Sequence, residues 1–197
     1  MKKYFSIILL CTLVFLAAAC SAKQDSEPQE PAGPETAAAQ QVDLDLQALK
    51  GSSTEDIAAV LGVSSILSDA DSSKADAFAV KLMEFDYKVL GEEVSEDGQT
   101  AAVALQIKTY DFGSTCKSAI KKLAVKILSG SIDRNDRAAI LDYLLPQLTK
   151  AKDKTFTAEV TVNCTLDGDV WQTDLAENEA FQQAILGGLV EALEQYL

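Results

Sequence analysis

One stretch constrains the fold more than any other. Phe156, Ala158, Val160, Val162, Cys164 and Leu166 alternate with Thr155, Thr157, Glu159, Thr161, Asn163 and Thr165. A period of two puts all the apolar side chains on one face and all the polar ones on the other. Such a strand belongs in an antiparallel sheet with one buried and one wet face. Its register is tightly specified, because a one-residue slip would turn the whole apolar set to water. Asp167-Gly168 then predicts a hairpin turn, and Val170–Thr173 a short returning strand.

A second hairpin is predicted upstream. Met83, Phe85, Tyr87 and Val89 alternate with Glu84, Asp86 and Lys88. Glu96-Asp97-Gly98-Gln99 supplies a turn, and Val103, Leu105 and Ile107 alternate with Ala104, Gln106 and Lys108.

Helical signals surround these strands. Val42–Lys50 predicts a short helix ended by Gly51. Ser53-Thr54-Glu55-Asp56 resembles a capping box, opening a helix with Ile57, Val60, Leu61, Ile66 and Leu67 inward and Gly62 weakening its middle. Ser68–Ser73 is a polar break, and Lys74–Leu82 adds a turn or two of helix. Between the hairpins, Thr115–Ser129 places Ile120, Leu123, Ile127 and Leu128 inward and stops at Gly130. Asp133 is expected to cap a second helix, with Ile140, Leu141, Leu144, Leu145 and Leu148 inward and Pro146 kinking or locally breaking it. A last helix from about Glu177 carries Phe181, Ile185, Leu189, Leu193 and Tyr196, and Gly187-Gly188 within it marks a close-packing spot.

The order of helices, hairpin, helices, hairpin and helix reads as α+β, with helices laid on one face of a curved antiparallel sheet. The segments Thr100–Asp111 (TAAVALQIKTYD), Val160–Asp174 (VTVNCTLDGDVWQTD) and Phe181–Leu189 (FQQAILGGL) resemble the NTF2-like (cystatin-like cone) group of small secreted lipoproteins found in Firmicutes and gut bacteria. The resemblance spans about Val42 to Leu197. It implies a cone-shaped domain with a helical insertion between the two hairpins. It implies no particular activity, since function lies in sites and not in folds.

The N-terminus reads as an export signal. Lys2 and Lys3 precede an uncharged apolar run from Tyr4 to Ala19, which is short for a membrane-spanning helix. Leu16-Ala17-Ala18-Ala19-Cys20 resembles the lipobox of bacterial lipoproteins, with Ala17 standing where leucine is more usual. The resemblance implies cleavage before Cys20, a diacylglyceryl thioether on its sulfur and often a further acyl chain such as palmitate. An ordinary signal peptide cut after Ala19 is the alternative. The expected organisation is a signal at residues 1–19, a lipidated N-terminus and disordered spacer at 20–41, and a domain at 42–197. The spacer holds Pro28, Pro31 and Pro34 and no large apolar residue, so it cannot bury enough surface to offset the entropy of ordering.

The chain carries a net charge of −13 over 197 residues and contains no histidine. Removing the signal removes two lysines and no acid, which leaves −15. Such a chain is repelled by nucleic-acid phosphates and by an anionic lipid surface, so the lipid on Cys20 would hold it at the membrane against that field. Without histidine, the usual general base, the Ser-His and Cys-His pairs and the common catalytic zinc sets are all missing. No enzyme activity, cofactor or metal is expected. The expected partners are the membrane through Cys20, and a small apolar ligand, a peptide or an envelope protein at the domain.

Few residues are left as site candidates. Cys11 lies in the signal and Cys20 carries the lipid, so Cys116 and Cys164 are the remaining thiols. Export permits a disulfide between them, and two buried small hydrophobes are the alternative. Asp86, Tyr87, Tyr110 and Asp111 could stand in for the base and donor of a cone-type isomerase, although Asp111 fits a helix cap better. Asp167, Asp169, Asp174 and Glu177 lack the spacing of a calcium loop and read as a solvated turn. Asn163-Cys164-Thr165 matches a glycosylation pattern by chance in mid-strand, and Trp171 reads as a core or sheet-edge residue.

Overall fold

The computed structural model describes residues 36–194. The signal, Cys20, the spacer up to residue 35 and Tyr196 lie outside the described residues.

The architecture is α+β. Four helices come first: α1 (Ala37–Lys50), α2 (Thr54–Val60), α3 (Ser64–Leu67) and α4 (Ser72–Leu82). The hairpin β1 (Asp86–Val94) and β2 (Thr100–Thr109) follows, then helices α5 (Phe112–Leu128) and α6 (Arg137–Leu148). The hairpin β3 (Phe156–Asp167) and β4 (Val170–Thr173) leads to α7 (Glu179–Leu186) and α8 (Leu189–Glu194). The strands form one open antiparallel sheet in the order β1-β2-β3-β4. The two expected hairpins are therefore joined through β2 and β3, where Val103 faces Val162 and Leu105 faces Val160.

The alternation decides which face is covered. Val103, Leu105, Ile107, Val160, Val162 and Cys164 are buried, whereas Thr157, Glu159, Thr161, Asn163 and Thr165 are exposed. Helices α1 and α7 lie against the sheet, and α5 packs on α6 and α8. Aromatic rings meet at the centre: Phe85 packs edge-on to Phe181, and Phe78 edge-on to Phe112.

Several boundaries differ from the sequence reading. Helix α1 starts within the expected spacer, with Thr36 as its N-cap and Ala38 and Ala39 buried. Ala37–Ala39 lack large side chains, but alanine is the best helix former, and its small methyl lets the helix approach the sheet closely. The helix expected over residues 53–67 splits after Val60, where Gly62 takes a positive φ of 67°. Ser53 caps α2 as expected. Helix α4 continues to Leu82 with Met83 as its C-cap, so β1 begins at Asp86. Asp136, not Asp133, caps α6, while Asp133 holds the preceding turn through the Asn135 amide. Pro146 lies inside α6 without ending it. Leu128 is 88% exposed, not inward, because α5 runs on past the body of the domain.

The glycine pair behaves as a packing device. Gly187 ends α7 in the left-handed region, at φ 51°, and its carbonyl accepts from the Gly113 amide at 2.9 Å. A Cβ on Gly113 would stand 2.5 Å from the Gly188 carbonyl oxygen. The backbones of α5 and the α7–α8 turn therefore touch with no side chain between them.

Candidate functional site

The helix-covered face of the sheet is the first place to look for a ligand, so what occupies it matters most. A β-bulge lies between Val89 and Gly91. It inserts Leu90, and from there on β1 presents its other set of side chains to the core. Tyr87 and Val89 face Ile107 and Leu105; beyond the bulge Glu92 faces Val103. An acid thus enters the covered face of the sheet. Sequence reasoning missed it, because simple alternation through Leu90 points Glu92 outward.

Both carboxylate oxygens of Glu92 are sealed from solvent and have no hydrogen-bond partner among the described residues. Burial pushes the carboxyl above its usual range. The Ala39 amide, in the first turn of α1, faces it and opposes the shift without reaching bonding geometry. Burial thus disfavours the charged form of Glu92 in the native chain relative to the unfolded one. Its share of stability is fully present below the ordinary glutamate pKa and is lost as pH rises through the raised native value. Glu92→Gln is expected to raise stability near pH 7 and to matter less near pH 4. Urea unfolding midpoints at the two pH values measure this. Equal midpoints for variant and wild type near pH 7 would show that the carboxylate is hydrated.

Glu92 lines neither the apolar cavity nor the two open grooves described among residues 36–194. Among the described residues, one wholly apolar cavity of about 40 Å³ lies between α3, α4, α5, α6 and α8, with Cys116 and Phe78 on its wall. It is far below the several hundred Å³ of a typical small-molecule site. An open groove of about 500 Å³ lies outside the sheet, between α2, α3 and α4. Its polar groups are partly engaged already: Ser53 caps α2, and Thr54 donates to Asp76 at 2.6 Å. Another groove, of about 390 Å³, runs between α5 and the end of α6 and carries Lys122, Lys150 and Lys152.

The four residues considered for isomerase chemistry do not converge. Asp111 caps α5, accepting from the Ser114 amide at 2.7 Å. Asp86 pairs with Lys154 at 2.8 Å on the open face. The Tyr87 hydroxyl donates to Asp43 of α1, and burial raises its pKa to about 12. The Tyr110 hydroxyl donates to Glu84, under the Lys81 ammonium. Lys81 and Tyr110 together hold the Glu84 carboxyl below its usual range. Each group is satisfied by a different neighbour, so the set braces the fold and offers no acid–base pair.

Cys116 and Cys164 are both buried free thiols. Of the two readings the sequence leaves open, the structure holds them as two separate buried side chains. Cys116 on α5 packs among leucines of α6 and α8, while Cys164 on β3 sits near Asp45, Glu92 and Asp174. They belong to different regions of the core. Burial raises both thiols to about 11, so neither is a ready nucleophile.

Asp174 has a structural task. It accepts from the Asn163 amide at 3.0 Å and from the Asn163 and Asn178 side chains, which ties β3 to the start of α7. No group of three or more acidic, cysteine or histidine side chains among the described residues is placed to hold a metal ion. Trp171 is half-buried against the core. No helix among the described residues is long and apolar enough to cross a membrane.

Comparison with protein-family models, with curated proteins and with solved structures gave no match.

Proposed function

We propose that this protein is a membrane-anchored extracytoplasmic lipoprotein whose domain works by docking at its surface, without catalysis. The anchor reading rests on the basic start, the apolar run and Leu16-Ala17-Ala18-Ala19-Cys20. Two acyl chains hold a protein stably where one binds only marginally. The likeness to NTF2-like cones draws support from the bulged β1, the helices on a single sheet face, and the helical pair between the hairpins.

The observation that carries the docking reading is the filled inner face of the sheet. Phe85, Leu105, Ile107, Val162 and Phe181 are all at 0% exposure, and the apolar cavity among the helices holds about 40 Å³. A small apolar ligand or peptide would need the room that these side chains take. A second protein of the envelope needs none of it.

Cys20→Ser is the direct test of the anchor. The wild-type chain is expected to partition into detergent with the membrane fraction and to take up labelled palmitate, and the variant to do neither. A mature wild-type chain found in the aqueous phase with a free Cys20 thiol would sink the reading.

A further inference from the structure

We propose that the exposed face of the α5–α6 helical hairpin docks onto an anionic phospholipid surface. The inference goes beyond the lipid anchor, because it gives the domain its own contact with the membrane.

Charge is unevenly spread along this acidic chain. Nine of its seventeen basic residues, and only four of its thirty acidic ones, lie between Phe112 and Lys154. That segment carries +5 within a chain of −13. Helix α5 contains four lysines and no acid. Lys117, Lys121, Lys122 and Lys126 make no ion pair among the described residues, and neither do Lys150 and Lys152. The ion pairs that do form use Lys74, Lys81, Arg137 and Lys154.

Helical geometry collects these charges with apolar groups. At about 100° per residue, Lys117, Lys121, Val125 and Leu128 fall within about 80° of one another. The buried face of α5, with Cys116, Ala119 and Leu123, points the other way. Val125 is 65% exposed and Leu128 88% exposed. Beyond Leu123 the hairpin is held by its own small apolar cluster, which packs Ala119, Leu123 and Leu144 with Ile127 and Ile132 at its margin. Its tip therefore stands off the main core with two large apolar side chains in water.

Bare apolar tips flanked by lysines fit a bilayer interface. Val125 and Leu128 can enter the headgroup–acyl boundary, while the lysine stems lie along it with their ammonium groups at the phosphates. The groove carrying Lys122, Lys150 and Lys152 adjoins this face and can receive phosphate oxygens through the Ser118 hydroxyl as well. The acidic remainder of the chain does not prevent approach. At about 0.1 M salt the screening length is about 10 Å, so the membrane meets mainly the local charge. The net repulsion expected from composition therefore does not apply to this face.

The test uses the whole mature chain with Cys20→Ser, so that binding owes nothing to the anchor and failure of either idea is separable. Co-sedimentation with vesicles of phosphatidylcholine containing about one third phosphatidylglycerol should show binding, which pure phosphatidylcholine and about 0.5 M salt abolish. Lys121→Gln with Lys122→Gln should weaken binding about 25-fold, at about fivefold per lysine. Leu128→Ser with Val125→Ser should weaken it about tenfold. All four sites are exposed, so unchanged circular dichroism and urea midpoints serve as the folding control. Equal binding to neutral vesicles, or indifference to the lysine changes, would overturn the proposal. So would retention of binding in the serine variant together with equal binding to heparin, which would identify a polyanion site and not a membrane one.

Discussion

Phe181→Ala is expected to lower the unfolding free energy by about 3–5 kcal/mol. Phe181 is fully buried on α7, with its ring edge-on to Phe85 at 6.3 Å between centroids. Helix α7 lies on β2 and β3, so the ring is a main contact between helix and sheet. Two effects add. The apolar surface of the ring is returned to water in the unfolded balance, and the cavity left behind cannot collapse between a sheet and a helix that other contacts hold apart. The lost T-shaped contact with Phe85 adds about 0.5–1.5 kcal/mol. Domains of this size have about 5–15 kcal/mol in total, so the variant should be marginal near 37 °C. Urea unfolding followed by far-ultraviolet circular dichroism measures the change. A loss below about 1 kcal/mol would mean that α7 does not seal the sheet as described.

Gly113→Ala is expected to destabilise by about 2–4 kcal/mol, against the direction that helix propensity predicts. Gly113 is the second residue of α5, where alanine would ordinarily gain up to about 1 kcal/mol. Here the new methyl would stand 2.5 Å from the Gly188 carbonyl oxygen and 2.9 Å from its carbon. Both are backbone atoms that cannot rotate away. The turn must retreat, and the bond from the Gly113 amide to the Gly187 carbonyl, 2.9 Å long, is lost with it. Overpacking of this kind costs about 1–3 kcal/mol or more, and the bond about 1 kcal/mol further. The steric term outweighs the propensity term. Urea midpoints of the variant and wild type decide it: a variant equal to or more stable than wild type would show that the two backbones are not in contact.

Legibility differed from element to element. Val160, Val162 and Cys164 were readable as one buried face, because alternation over twelve residues of β3 leaves a single sensible register. The turn at Asp167-Gly168 and the capping role of Asp111 were readable because each depends on chemistry within a few residues. Glu92 was not. Its inward position follows from one inserted residue, Leu90, that reverses the pattern, and nothing local announces a bulge. Leu128 was misjudged because periodicity says which side of a helix is apolar, and not whether anything lies beside it. The start of α1 was missed because Ala38 and Ala39 read as spacer until the fold buries them. The disulfide between Cys116 and Cys164 was open for the same reason: an even count of thiols carries no distance.

The sequence by itself determined the strand faces, the hairpin turns, most helices and the expectation of a lipid on Cys20, since each is written in short-range periodicity or a few adjacent residues. Only the tertiary structure decided what those faces meet. It filled the inner side of the sheet with aromatic rings, turned the Glu92 carboxylate into it with no partner among the described residues, kept the two thiols apart, and left the α5 lysines without an ion pair among those same residues. The physical reason is that packing and long-range electrostatics depend on distances between residues far apart in the chain, and a composition of −13 says nothing of where the positive charges gather.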